Sequence, residues 1–243
     1  MKFLISILLI SNLFGVSFSQ KNVLKTTYKV ASWFSAKDGH IFNDTMVAIV
    51  LRESSGGRQL IGDSYINGVE KPFIMKSLGV GQVKLETAIH MIMAHKDIYK
   101  NFQVYIHKNP FAFKKYYKYL IKIEYYQDIL RRYKNKNDAR SIRVKKWANK
   151  ELRYYEKLFR PYKEYYKKDL ELAQLLLSDI EFNVSVGTLY LIQNYEIALK
   201  RHYSNPWFRA ISRYNGGWNN KTYYKKVLEK MKIWRKIKNQ ISK

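Results

Sequence analysis

The chain opens on a nearly unbroken apolar run, Phe3 to Val16, interrupted only by Ser6, Ser11, Asn12 and Gly15. Beyond it the apolar positions recur at helical spacing. Met46, Ile49, Val50 and Glu53 fall on one face of a helix over Thr45–Ser54, with Asn43 or Asp44 as its cap and Gly56-Gly57 as its stop. Residues 58–78 hold Gly62, Asp63, Asn67, Gly68 and Pro72 and read as a loop or short hairpin. Helical spacing resumes over Val83–Lys96 and continues in two long stretches, about 111–134 and 140–177, with a break near Asn135–Asp138 and a kink at Pro161. A further helix spans Phe182–His202. Asn205-Pro206 interrupts it, a short helix leads to the Tyr214-Asn215-Gly216-Gly217 turn, and a last helix runs from about Thr222 to the end. No set of alternating segments supplies a sheet core, so the pattern predicts a mainly α protein.

Flanking residues give the first apolar run a meaning. Lys2 precedes it, and Ser17 and Ser19 place small side chains three and one residues before Gln20. That is the layout of a secretory signal peptide over residues 1–19, and the run is short for a span of about 20 apolar residues. The expectation is an exported protein, periplasmic or cell-wall associated. The chain has no cysteine, which excludes a lipid-anchored lipoprotein, a disulfide framework and cysteine-ligated metal.

Charge divides the chain further. The formal net charge is +26, a field that favours polyanions. Residues 96–170 carry 22 basic and 8 acidic side chains and residues 200–243 carry 13 and 1, whereas residues 171–199 carry 4 acids and no base. The middle also holds 13 of the 21 tyrosines, between Tyr99 and Tyr166, with no glycine. It reads as a Tyr/Lys-rich helical insertion at about 96–180 in a domain covering 20–243. Its tyrosines are expected to fill its own helix interface and its lysines to be a solvated face; the other reading is that the rings stack on sugars. For an exported protein, an anionic wall polymer or a membrane surface comes before nucleic acid as the partner of such charge. The five histidines are scattered, His90 and His95 being five apart rather than four, so no metal and no cofactor is expected.

Glu53 is the candidate for chemistry. It lies beside the apolar stripe and in the last helical turn, and both desolvation and the helix dipole disfavour its charged form. A carboxyl kept protonated near neutral pH is what general-acid cleavage of a glycosidic bond requires. The plain alternative is a structural glutamate paired with Arg52 or Arg58.

Four segments in order resemble the lytic transglycosylase and goose-type lysozyme superfamily. Arg52-Glu53-Ser54-Ser55 is similar to its Glu-Ser signature. Leu78-Gly79-Val80-Gly81-Gln82-Val83 is similar to its Gly-Leu-Met-Gln segment, with Gly81 where Met is usual. Phe182-Asn183-Val184-Ser185-Val186-Gly187 with Tyr190-Leu191 resembles its Asn-Ile-x-x-Gly…Tyr-Leu helix, and Arg213-Tyr214-Asn215-Gly216-Gly217 resembles its Ala-Tyr-Asn-Gly turn, with Arg213 where Ala is common. The resemblance implies a lysozyme-like helical domain that cuts the MurNAc-GlcNAc bond of peptidoglycan glycan strands. Glu53 would be the catalytic acid, Ser54 would orient it or the substrate, and Gln82 would line the cleft. Tyr190 and Tyr214 would hydrogen-bond near the carboxyl, and Asn215 would bind sugar. Asp63 and Glu70 are the nearby candidates for a second carboxylate, and neither fits a position of the pattern. A lone acid favours a lyase leaving 1,6-anhydroMurNAc ends over a hydrolytic muramidase; a non-catalytic glycan-binding relative is the third reading. Wall remodelling, or opening the wall for a secretion or conjugation machine, are the roles such an activity serves.

Overall fold

The structure is a computed structural model and describes residues 17–66, 68–110 and 112–241. The described residues are 69% helical, which makes the chain a mainly α protein. The described residues form nine α-helices: α1 Phe18–Ala31, α2 Asn43–Glu53, α3 Leu85–Ala94, α4 Phe113–Arg132, α5 Ala139–Phe159, α6 Lys163–Ser178, α7 Ile180–Lys200, α8 Pro206–Tyr214 and α9 Lys221–Ile241. The expected punctuation acts where it was placed. Pro161 lies in a 3-10 turn, Arg160–Tyr162, that separates α5 from α6, and Asn205 caps α8 by accepting from Phe208 N at 2.9 Å, with Pro206 as the first helical residue.

Two compact units are present. The first comprises the described residues up to Leu60, with Leu78–Val83 and Leu175 onward; the second comprises Ile61–Ser77 and Lys84–Gln174. The second unit therefore takes in most of the segment expected as an insertion and also the hairpin region and α3.

In the first unit α2 is the centre. Every residue from Thr45 to Leu51 is buried, so α2 is enclosed on all sides rather than along one stripe. Helices α1, α7 and α9 pack against it, and the core includes Leu24, Met46, Ile49, Leu191, Ile211 and Trp234. The cap of α2 differs from expectation. Phe42 occupies the cap position without a side-chain bond. Asp44 is instead drawn to α9, accepting from Trp234 Nε1 at 2.7 Å and Lys238 Nζ at 3.1 Å, because a buried indole N–H requires an acceptor.

Helix α1 was not legible as fold. Ser17 caps it and Gln20 returns the bond to the Ser17 N–H, a complete capping box. The small residues that read as a cleavage site are thus also a helix start. Cleavage before Gln20 would remove the Ser17 cap and leave Gln20, whose buried amide donates to Ser55 O at 2.6 Å. The apolar run Phe3–Val16 lies outside the described residues.

The second unit joins α4 and α5 as an antiparallel pair followed by α6, with a two-residue hairpin pairing Tyr65 to Glu70 and Ile66 to Val69. Many of its tyrosines are its core. Tyr116 is fully buried among Tyr117, Phe159, Tyr162 and Tyr166, and Tyr126 stacks on Tyr155. The Tyr116 hydroxyl donates to Asp169 Oδ2, and His107 Nε2 lies 3.3 Å from Oδ1. Burial pushes the Asp169 carboxyl up, while Tyr116 and His107 draw it back.

Candidate functional site

Glu53 ends α2 at the point where the chain reverses. Ser55, Gly56 and Gly57 all take left-handed backbone, at φ of 54°, 71° and 90°, which stops the helix and turns the chain away. Ser54 secures the reversal. It is 0% exposed, its hydroxyl donates to Val50 O at 3.0 Å, and the same oxygen accepts from Gly57 N at 2.9 Å. Ser54 thus fixes the backbone beneath Glu53.

The Glu53 side chain is half-buried, and its Oε1 is buried with no hydrogen-bond partner. Desolvation pushes its carboxyl above the usual range, against the lowering influence of Tyr223 and Arg52. Its place in the last turn of a helix acts in the same upward direction. Tyr223, in the first turn of α9 and 3% exposed, faces the carboxyl without being aligned to bond it, since its hydroxyl too is buried and unpartnered. Burial, and then the Glu53 charge, push the Tyr214 and Tyr223 phenols up. Both hydroxyls therefore stay protonated, and that of Tyr223 is uncommitted and can donate to the acid.

Tyr190 and Tyr214 gather at the same place, with ring centroids 5.8 Å apart. Tyr214 donates to Gly81 O at 3.0 Å. The 78–83 loop that carries Gly81 is held by Asn183 of α7, which is fully buried. Asn183 accepts from Gly81 N at 2.8 Å and donates to Leu78 O at 2.8 Å and Leu176 O at 2.9 Å. Gln82, half-buried at φ 52°, donates its amide to Gln59 O at 3.1 Å and Gly79 O at 3.0 Å. Its nitrogen is committed to shaping the loop. Asn215 is exposed and follows Tyr214 at the end of α8. Glu53, Tyr190 and Tyr214 thus come together, while Ser54 and Gln82 serve the backbone around them. Tyr223 is the member that sequence reasoning missed.

The glycines of this region are set by close approach. A Cβ on Gly81 would meet Asn183 Oδ1 at 3.0 Å and the Tyr214 hydroxyl at 3.1 Å, which leaves little room for any side chain. At Gly187 a Cβ would sit 2.7 Å from the Tyr214 hydroxyl and 2.8 Å from Met46 Cε. Gly187→Ala is expected to push the phenol off Gly81 O and to cost about 1–3 kcal/mol through overpacking; a urea unfolding series measures it, and an unchanged midpoint would contradict the packing. A second expected outcome concerns Tyr223. Its hydroxyl lowers the Glu53 pKa, so Tyr223→Phe moves the Glu53 titration upward in a carboxyl-carbon NMR experiment.

Arg213 is also accounted for locally. Its Nη1 donates to Gly216 O at 3.1 Å and its guanidinium lies 5.7 Å from the Trp218 ring centre, which braces the turn after Tyr214. Among the described residues no group of three or more His, Asp or Glu side chains could hold a metal ion. No protein-family model, no curated protein and no solved structure matches the chain.

Proposed function

We propose that the chain is an exported peptidoglycan lytic transglycosylase, a lysozyme-like helical domain carrying a helical insertion at about 96–180, with Glu53 as its single catalytic acid. The observation that carries this reading is the Glu53 carboxyl itself: half-buried, with one oxygen unpartnered, raised in pKa, and ringed by protonated tyrosine hydroxyls. A neutral carboxyl so placed can give its proton to the oxygen linking MurNAc to GlcNAc. The carboxylate left behind can then take the proton of the MurNAc 6-hydroxyl as that oxygen closes on C1, which yields a 1,6-anhydro end and returns Glu53 to its acid form. Tyr223, whose hydroxyl is uncommitted, would steady the charge that appears on Glu53 between the two proton transfers, with Tyr190 and Tyr214 shaping the wall beside it, and Asn215 would meet sugar from the adjoining turn.

The lyase route is favoured over hydrolysis because most glycoside hydrolases use a second carboxylate. The influences on the Glu53 titration are burial, Tyr223 and Arg52, with no second carboxylate among them. Asp63 and Glu70 are engaged elsewhere, by Lys71 at 2.7 Å and Lys76 at 2.5 Å. Mass spectrometry of the fragments released from purified peptidoglycan tests the assignment. Anhydro-ended muropeptides are the expected product; hydrated ends would replace the lyase with a muramidase, and no fragments would leave glycan binding.

A further inference from the structure

Helix α5 carries a second surface that the Glu53 chemistry does not use. Arg143, Lys146, Lys150, Arg153 and Lys157 succeed one another at intervals of three, four, three and four residues, which aligns them on one side of a helix. All five are exposed. None takes part in an ion pair among the described residues. The opposite side of the helix faces the unit's core through Ser141, Ala148 and Tyr155, the last stacked on Tyr126. Both sides thus follow the same seven-residue repeat.

A solvated helix face normally mixes signs at i,i+4, where opposite charges support the helix and like charges weaken it. This stripe contains no carboxylate, and Lys146 with Lys150, and Arg153 with Lys157, repel each other at that spacing. Two large rings run beside it, also seven apart: Trp147 at 46% exposed and Tyr154 at 56%. Arg143, Lys146, Trp147, Asn149, Lys150 and Arg153 line an open cup of about 820 Å³.

We propose that this face of α5 binds a linear anionic glycan, with one charged group per sugar residue on the cation stripe and sugar rings against Trp147 and Tyr154. At 1.5 Å per residue the stripe is roughly 21 Å long, with a cation about every 5 Å. That pitch is far sparser than a nucleic-acid duplex, which carries a charge per ~1.7 Å. A bilayer is disfavoured by the order of residues across the face. An interfacial helix buries an apolar centre and sets its cations at the margins, whereas here the cations hold the centre and the rings lie to one side.

The test measures binding of the full chain to a labelled oligogalacturonate, which carries one carboxylate per ring, by fluorescence anisotropy at 0.15 M salt. Oligothymidylate and phosphatidylglycerol vesicles serve as comparison ligands. The triple variant K146Q/K150Q/R153Q is expected to weaken oligogalacturonate binding about tenfold or more, and W147A several-fold. Melting temperature should not fall in the triple variant, since like-charge repulsion is being removed. K221Q/K225Q/K226Q removes the same charge from α9 and should leave affinity nearly unchanged. Three results would each overturn the proposal: equal losses in the two triple variants, no loss in the α5 triple, or tighter stripe-dependent binding of oligothymidylate or vesicles.

Discussion

Glu53→Gln is expected to abolish release of glycan fragments, by on the order of 10³-fold or more, given the usual contribution of a positioned general acid. The glutamine keeps the shape and loses the transferable proton, and no other carboxyl acts on this position to replace it. The same substitution should make the protein more stable, and the sign follows from linkage. Burial raises the folded-state pKa of Glu53 above its unfolded value. Its contribution to stability is therefore fully present below the unfolded pKa and is lost as pH rises through the folded one. Above that range a charged, partly buried carboxylate strains the fold, and a neutral amide does not. The melting temperature of Glu53→Gln should exceed that of the parent at pH 8, with the gap closing toward pH 4. A variant both inactive and stabilised is the mark of a functional acid held against its own preference. A variant inactive and destabilised would mean instead that Glu53 is a structural group.

The upward direction of the Glu53 shift was legible from helical spacing; the extent of the burial behind it was not. The spacing of Met46, Ile49, Val50 and Glu53 puts a carboxyl on an apolar face and stops there. The enclosure of α2 on every side depends on α1, α7 and α9, which come from distant parts of the chain. The helices themselves were legible because the chain is punctuated by residues that cannot continue a helix: Gly56-Gly57, Pro161, Asn205-Pro206. The hairpin was legible from the turn residues Gly62, Asp63, Asn67, Gly68 and Pro72. Where one sequence feature serves two purposes, legibility failed. Ser17 and Ser19 match an export cleavage site, and the same Ser17 with Gln20 is a capping box that starts α1. Asp44 is a good cap by type, yet Trp234 and Lys238, nearly two hundred residues on, claim its carboxylate. Tyr223 carried no local signal, since a tyrosine in the first turn of a Lys-rich amphipathic helix is ordinary until the fold sets it before Glu53. The reverse also holds on α5, where the cation repeat is plain in the sequence and only the exposure of Trp147 and Tyr154 distinguishes it from a solvated face.

Asn183 governs whether the site exists at all. It belongs to the Asn-Val-Ser-Val-Gly segment, and its amide ties the 78–83 loop to α7 and to the end of α6. It satisfies three buried main-chain groups, Gly81 N, Leu78 O and Leu176 O. Asn183→Leu preserves volume but orphans all three. At ~1–3 kcal/mol for each unsatisfied group, the loss over three groups is roughly 3–9 kcal/mol, a large share of an ordinary domain's stability. Asn183→Asp separates the donor from the acceptor role. The aspartate can still accept from Gly81 N, but when ionised it sets a buried charge against two carbonyl oxygens and donates to neither. When protonated it recovers one donated bond. Burial and those carbonyls raise its folded pKa above the unfolded value of about 3.9, so its stability deficit should be smallest below that value and grow as pH rises through the folded pKa. Asn183→Leu has nothing to titrate and should be equally impaired relative to the parent at every pH. Urea midpoints of the parent and both variants at pH 4 and pH 7.5 measure the two behaviours. A pH-independent deficit in Asn183→Asp would show that the two donated bonds do not hold the loop, and the Tyr214 bond to Gly81 O and the Gln82 bond to Gln59 O would then have to hold it.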